Sequence, residues 1–237
     1  MKRLLGVTHF LKLDLLRTCA FYGFGLFLCL AVSGAVVFGS DDTEHETYLG
    51  VSVDKDLGSG LEAFVDGQIK SRGLLETEYF RKVEVGGTME LSERISLRGS
   101  FKGIDLLGAS GWHRYYVPGV GATIEWAPSR LEVDFRNILE FWHIIGDGSV
   151  ELRIKQRIRL SAPAKIGDLE IKPYVSEEFL SAINTNDHLI WNRVSAGNSF
   201  YLGDRITLDA FYIWQRKNGS LEWRNAHVAG GKIRFSF

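Results

Sequence analysis

From Glu46 onward apolar and polar residues alternate with a period of two, the repeat of a β-strand, and about eleven such runs follow one another. The clearest covers residues 150–160. Val150, Leu152, Ile154, Ile158 and Leu160 fall on one face, and Glu151, Arg153, Lys155, Arg157 and Arg159 on the other, because successive strand side chains point to opposite sides. Leu131, Val133, Phe135, Leu139 and Phe141 stand in the same way against Glu132, Asp134, Arg136 and Glu140. The split returns with Leu61, Ala63, Val65 and Ile69 against Glu62, Asp66 and Lys70, with Ile95, Leu97 and Phe101 against Arg98 and Lys102, and with Ile206, Leu208, Ala210, Tyr212 and Trp214 against Thr207 and Asp209. Each strand therefore has one oily and one ionic face.

Alternation alone also fits a soluble β-sandwich, whose oily faces meet in a core. Length separates the two. Strands of soluble domains cluster at about 5 or 6 residues, whereas these runs reach the roughly 9 to 11 residues that a tilted membrane strand requires. The pattern predicts an all-β fold, a closed antiparallel up-and-down transmembrane β-barrel of roughly 10–12 strands. A soluble periplasmic sandwich is the low alternative.

Turn signals sort into two sets. Short ones lie at Gly58-Ser59-Gly60, Ser92-Glu93-Arg94, Pro128-Ser129-Arg130, 163–167 and Gly203-Asp204-Arg205; longer polar connections lie at 71–77, 108–111, 146–149, 184–188 and 217–220. Outer-membrane barrels keep short turns in the periplasm and longer loops outside. Trp112, Trp142, Trp191, Trp214 and Trp223 lie near the longer connections and Trp126 near a short turn, as expected for the aromatic girdles of a membrane barrel.

The start of the chain differs from the rest. Lys2, Arg3, Lys12 and Arg17 precede an apolar stretch over 18–39, which reads as a signal peptide over residues 1–40, with the barrel over 41–237. An uncleaved anchor helix is the alternative, since the stretch approaches the roughly 20 residues that span a bilayer. Both cysteines, Cys19 and Cys29, fall inside this leader, so the barrel has neither a disulfide framework nor a cysteine metal site. Removing the leader's four bases and one acid from 28 Lys+Arg and 29 Asp+Glu leaves 24 against 28. A mildly acidic chain is not a nucleic-acid binder with a basic footprint.

At the other end Ala229, Gly231, Ile233, Phe235 and Phe237 share one face, opposite Lys232, Arg234 and Ser236. This aromatic close resembles the terminal signal by which outer-membrane barrels are recognised. The resemblance implies the barrel-assembly machinery and outer-membrane lipid as partners, in the outer membrane of a Gram-negative-type bacterium.

The chain also resembles a bacterial family catalogued as domain of unknown function 2490. The likeness lies in Tyr48-Leu49-Gly50-Val51-Ser52-Val53, in Phe135-Arg136-Asn137 followed by Arg153-Ile154-Lys155-Gln156-Arg157, in Pro173-Tyr174-Val175-Ser176-Glu177-Glu178-Phe179, and in Asn192-Arg193 with the aromatic end. It implies an outer-membrane barrel and supplies no catalytic residues.

With the oily face on lipid, Glu132, Asp134, Arg136 and Glu140 share an interior with Arg153, Lys155, Arg157 and Arg159, and with Glu170, Lys172 and Glu178 of the next strand. Opposite charges on neighbouring strands form a ladder that fills the lumen, or a constriction that selects small ions. Barrels of eight strands are filled by their own side chains and those of 16 or more enclose channels. A barrel between these sizes is expected to be structural or a narrow pore.

A lipid- or surface-acting hydrolase is the alternative function. Such barrels pair His with Ser on one strand face, yet no serine follows His45, His113, His143, His188 or His227 by two residues. Asp187-His188 and Asp147 are rim candidates for membrane-type proteolysis, and solvated loop residues are the simpler reading of both. No metal spacing or phosphate-binding glycine motif occurs, so no cofactor is expected.

Overall fold

The computed structural model describes residues 44–127, 130–145, 148–184, 189–218 and 223–237. The expected signal peptide over 1–40 lies outside the described residues, as do Asp147, Asp187 and His188.

Alternation becomes strand throughout: β1 (Glu44–Gly58), β2 (Leu61–Arg72), β3 (Thr77–Ser92), β4 (Ile95–Gly108), β5 (Gly111–Trp126), β6 (Glu132–Ile144), β7 (Val150–Ser161), β8 (Ala164–Ile166), β9 (Leu169–Ala182), β10 (Leu189–Tyr201), β11 (Ile206–Asn218) and β12 (Trp223–Ser236). β8 is a three-residue ribbon folded on the start of β9. The other eleven form a wall in which sequence neighbours pair antiparallel, with β7 passing directly to β9.

The wall closes by pairing β1 with β12 in parallel, from Glu44 opposite Ala226 to Asp54 opposite Ser236. Two backbone bonds carry the seam to the last residue, from Phe237 N to Asp54 O (3.0 Å) and from Asp56 N to Phe237 O (2.9 Å). An odd number of up-and-down strands forces this arrangement, since the first and last then run the same way. The parity that sets most single-chain bacterial barrels at even counts is absent among the described residues.

One rim, the short-turn rim of the sequence pattern, carries the β1–β2, β3–β4, β5–β6, β7–β9 and β10–β11 connections and Phe237, and the opposite rim carries the other five and Glu44; the two sets do not separate by length, since β4–β5 leaves two residues between strands and β5–β6 leaves five. At the first short turn Gly58, Ser59 and Gly60 all have left-handed φ, at 81°, 55° and 74°. Two flanking glycines ease a bend in which Ser59 alone has a Cβ to accommodate.

The polarity of the wall is inverted relative to a soluble domain. Val83 is 58% exposed while Glu84 beside it is 5% exposed. Leu49, Val51, Val53, Val65, Val85 and Val120 likewise look outward, whereas Ser52, Asp66, Lys102 and Glu140 are buried inside. Eleven strands spaced about 4.8 Å apart and tilted about 40° give a backbone cylinder roughly 20–24 Å across. Long inward side chains from facing walls meet across that width.

Inward aromatics and glycines share rows of the wall. Tyr174 of β9 pairs with Gly197 of β10, which pairs with Phe211 of β11, then Gly230 of β12, then Tyr48 of β1. A Cβ on Gly197 would stand 2.7 Å from the Tyr174 ring, and one on Gly86, opposite Phe64, 2.6 Å from that ring. Each large ring lies across its partner strand, where only glycine leaves room.

Candidate functional site: the charged lumen

The inward faces of the wall strands converge inside the barrel, and most of them are ionic. From the middle of the lumen towards the short-turn rim, Lys82 bridges Asp66 (2.7 Å) and Glu84 (3.0 Å), Lys232 also holds Asp66 (2.5 Å), and Arg98 reaches Glu84 (3.0 Å). Arg234 lies between Asp54 (3.4 Å) and Asp209 (3.7 Å). These groups surround a cavity of about 420 Å³.

The half nearer the opposite rim is filled. Ile104, Val117, Ile138, Leu180, Val228 and Gln215 are each no more than 4% exposed. Among them Glu140 accepts hydrogen bonds from Lys102 and from Trp142 Nε1 (2.9 Å), and Lys155 stands 3.3 Å away. Lys217 pairs with Glu46 above this layer. A buried carboxylate is tolerated where cations and donors replace its water. Glu140 has both.

The residues expected to form the ladder are placed as follows. Arg136 and Arg157 sit directly opposite one another, and the like charges separate by pairing elsewhere, Arg136 with Glu178 (3.3 Å) and Arg157 with Asp134 (2.6 Å). Glu178 also receives Arg193 at 3.6 Å. Lys172 pairs with Glu132. Arg153 pairs with Glu151 of its own strand (2.6 Å) and lies 4.0 Å over the Trp142 ring. Arg159 faces Asp134 in register but forms no ion pair among the described residues, and its guanidinium lies 3.7 Å over the Tyr174 ring. Glu170 stands apart from the others: it pairs with Lys165 (2.5 Å) with its side chain 57% exposed, because the β8 ribbon carries that end of β9 beyond the buried interior.

Of the terminal residues, Ile233 and Phe237 are outward and exposed, and Ala229 is covered by its neighbours. Gly231 and Phe235 alternate with inward Lys232 and Arg234 on the same strand.

The aromatic girdle is narrower than the sequence suggests. Trp112, Trp126, Trp214 and Trp223 are outward and exposed. Trp142 and Trp191 have the parity of inward residues and carry Arg153 and Arg193 on their faces, the latter at 3.8 Å. Proximity to a connection is a weaker signal than the parity of the strand. The expected ladder also leaves out much of the lumen. Glu84, Lys102 and Lys232 join the ionic network; the sequence pattern already sets Lys102 and Lys232 on the polar faces of their strands, and the parity of β3 would have found Glu84.

A Ser–His pair does form, at a spacing other than two residues: Ser110 Oγ of the exposed β4–β5 connection lies 2.8 Å from Nε2 of His113 at the start of β5. No carboxylate partner of His113 occurs among the described residues. Across the seam, outward His227 stacks on His45 at 5.9 Å between centroids and its Nδ1 meets the Tyr212 hydroxyl. No group of three or more metal-ligating side chains occurs among the described residues.

No curated protein matches the chain. Among solved structures, it is similar to the beta domain of the Bordetella autotransporter Brka, at 14% identity and a TM-score of 0.45, over 76% of this chain and 85% of that one. Residues 45–226 match the family described as Protein of unknown function (DUF2490), and the chain belongs to that family.

Proposed function

We propose that this chain is an outer-membrane barrel of a Gram-negative-type bacterium, with its short-turn rim in the periplasm. Its role is structural or that of a narrow conduit, and the filled outer half of its lumen excludes free diffusion of solutes. The observation that carries this reading is the inverted polarity of the wall: Val83 outward and Glu84 inward, repeated from strand to strand. Apolar side chains face a medium that cannot hydrogen-bond, and closure leaves no strand edge unpaired in it. The partners are then outer-membrane lipid and, through the strand that ends at Phe237, the barrel-assembly machinery.

Fractionation of the host envelope tests the location. The protein is expected to stay with outer membranes through carbonate washing and to shift in mobility when heated in mild detergent; release into the soluble fraction would refute the reading. Planar-bilayer recording tests the lumen. The filled layer around Glu140 predicts little or no conductance, and large, stable open-channel steps would contradict it.

A hydrolytic role has the Ser110–His113 contact in its favour. It predicts that Ser110→Ala abolishes cleavage of an ester-linked lipid substrate by the purified barrel, and undetectable cleavage by the unaltered protein removes the reading.

A further inference from the structure

We propose that the cavity in the short-turn half of the lumen is a binding site for a small oxyanion, a phosphate- or carboxylate-bearing molecule held among Arg98, Arg157 and Arg159. The inference rests on the membrane reading above, which opens this half towards the periplasm.

The first observation is unused hydrogen-bonding capacity. Arg98 donates through Nη2 to Glu84 and Arg157 through Nη2 to Asp134, and the Nε atom of each is enclosed by protein without a partner, so Nη1 of each is the donor left for a ligand. Arg159, on the same face of β7 two residues beyond Arg157, makes no ion pair among the described residues. Arg98 and Arg157 each hold a carboxylate, but for Arg159 the burial of a guanidinium without an ion-pair partner is unfavourable, and an apolar residue of similar volume would give a more stable interior. A ligand that brings its own negative charge removes that penalty.

The second observation is preorganisation. The Arg98 guanidinium lies 3.6 Å from the Phe64 ring and that of Arg159 3.7 Å from the Tyr174 ring. Stacking occupies the flat faces and leaves the N–H edges available. The edge of Arg159, which no carboxylate occupies, matches the paired oxygens of a phosphate or carboxylate, which guanidinium groups bind through two parallel hydrogen bonds, while Arg98, with Nη2 taken by Glu84, adds a single donor. Gly86 and Gly197 let both rings lie flat, so the wall itself fixes the direction of the two cations.

The third observation is size and charge. All three arginines line the cavity of about 420 Å³, together with Arg136, and its walls carry eight basic against five acidic side chains. Several of those bases are matched by lumen carboxylates outside the cavity lining, such as Asp134 and Glu178. The local excess therefore centres on Arg159. Glu62 and Asp54 also line the cavity, and they disfavour an anion that extends towards their side. The volume falls within the range of about 300–1,000 Å³ typical of small-molecule sites, which fits a compact ligand with one or two anionic groups.

The test is calorimetric titration of the full barrel, purified from membranes into a neutral detergent, with inorganic phosphate and with citrate at constant ionic strength balanced by chloride. Saturable binding of at least one probe, with one site per barrel, is expected. Arg159→Gln and Arg98→Gln should each weaken it tenfold or more. Arg153→Gln should leave it unchanged, because Arg153 also has an unpartnered Nε but sits near the opposite rim, outside the cavity. Heat-shifted mobility of every variant confirms that it still folds, and the two separate cavity variants guard against one failing to do so. A barrel that keeps its heat shift and membrane retention but binds neither probe, or binds equally well in both variants, overturns the oxyanion site alone. Loss of membrane retention in the unaltered protein overturns the membrane reading instead.

Discussion

The Phe211 ring lies directly over the Cα of Gly230, its paired residue on the next strand, so closely that a Cβ at position 230 would collide with three ring carbons. The contact belongs to a row that runs across five strands from Tyr174 to Tyr48, where the Tyr48 and Phe211 rings meet edge to face at 5.0 Å. Gly230→Ala is expected to destabilise the barrel by about 1–3 kcal/mol, the usual cost of overpacking. Most of that cost should disappear when Phe211 is replaced by Ala as well, since the clash is pairwise. Urea unfolding of the four proteins in lipid vesicles measures the coupling, and strictly additive effects would show that the ring and the glycine do not act together.

Outward positions should respond to charge according to depth. Val85, at the middle of β3, and Leu91, beside the short-turn rim, are both exposed on the outer face. In a bilayer Val85→Arg is expected to cost about 2–4 kcal/mol and Leu91→Arg about 0–1 kcal/mol. Equal costs at the two depths would mean that the outer face is not in hydrocarbon.

Glu140 holds two lysines and an indole N–H in the filled half of the lumen. Glu140→Gln keeps the shape and removes the charge, leaving Lys102 and Lys155 unmatched in a buried layer. A loss of about 3–5 kcal/mol is expected, as for other buried ion pairs that lose one partner. If unfolding midpoints are unchanged, water reaches this layer and the lumen is more open than its packing indicates.

The rims can be assigned on living cells. An epitope inserted directly before Glu44 should bind antibody on intact bacteria, and the same epitope at Glu93 should bind only after the outer membrane is permeabilised. The opposite result would invert the orientation.

Most of the wall is legible in the sequence because a strand inside a barrel reports its surroundings at every second residue. Val150 to Leu160 show both faces without any knowledge of their neighbours. The partners of the charges are less legible. Register places Arg136 opposite Arg157 and Arg159 opposite Asp134, but Arg157 turns diagonally to Asp134, Arg136 reaches past Arg157 along the same row to Glu178, and Arg159 lies on the Tyr174 ring. The aromatic and glycine row is hidden for a different reason. Gly197, Phe211 and Gly230 lie far apart in sequence and align only once the register of three strands is fixed. The parallel seam is similarly a property of the closed ring, and no single strand carries its signature.

That seam constrains how the gene could be rearranged. In a barrel with an even number of strands the two chain ends meet at one rim, where a short linker joins them and new ends can be cut elsewhere. Here Glu44 and Phe237 lie at opposite rims, separated by the length of a 14-residue strand, roughly 45 Å at about 3.3 Å per residue. A linker would have to cross the interior past Glu140 or run through lipid. Circular permutants that join Phe237 to Glu44 should therefore fail to form unless an additional strand is supplied to carry the chain back.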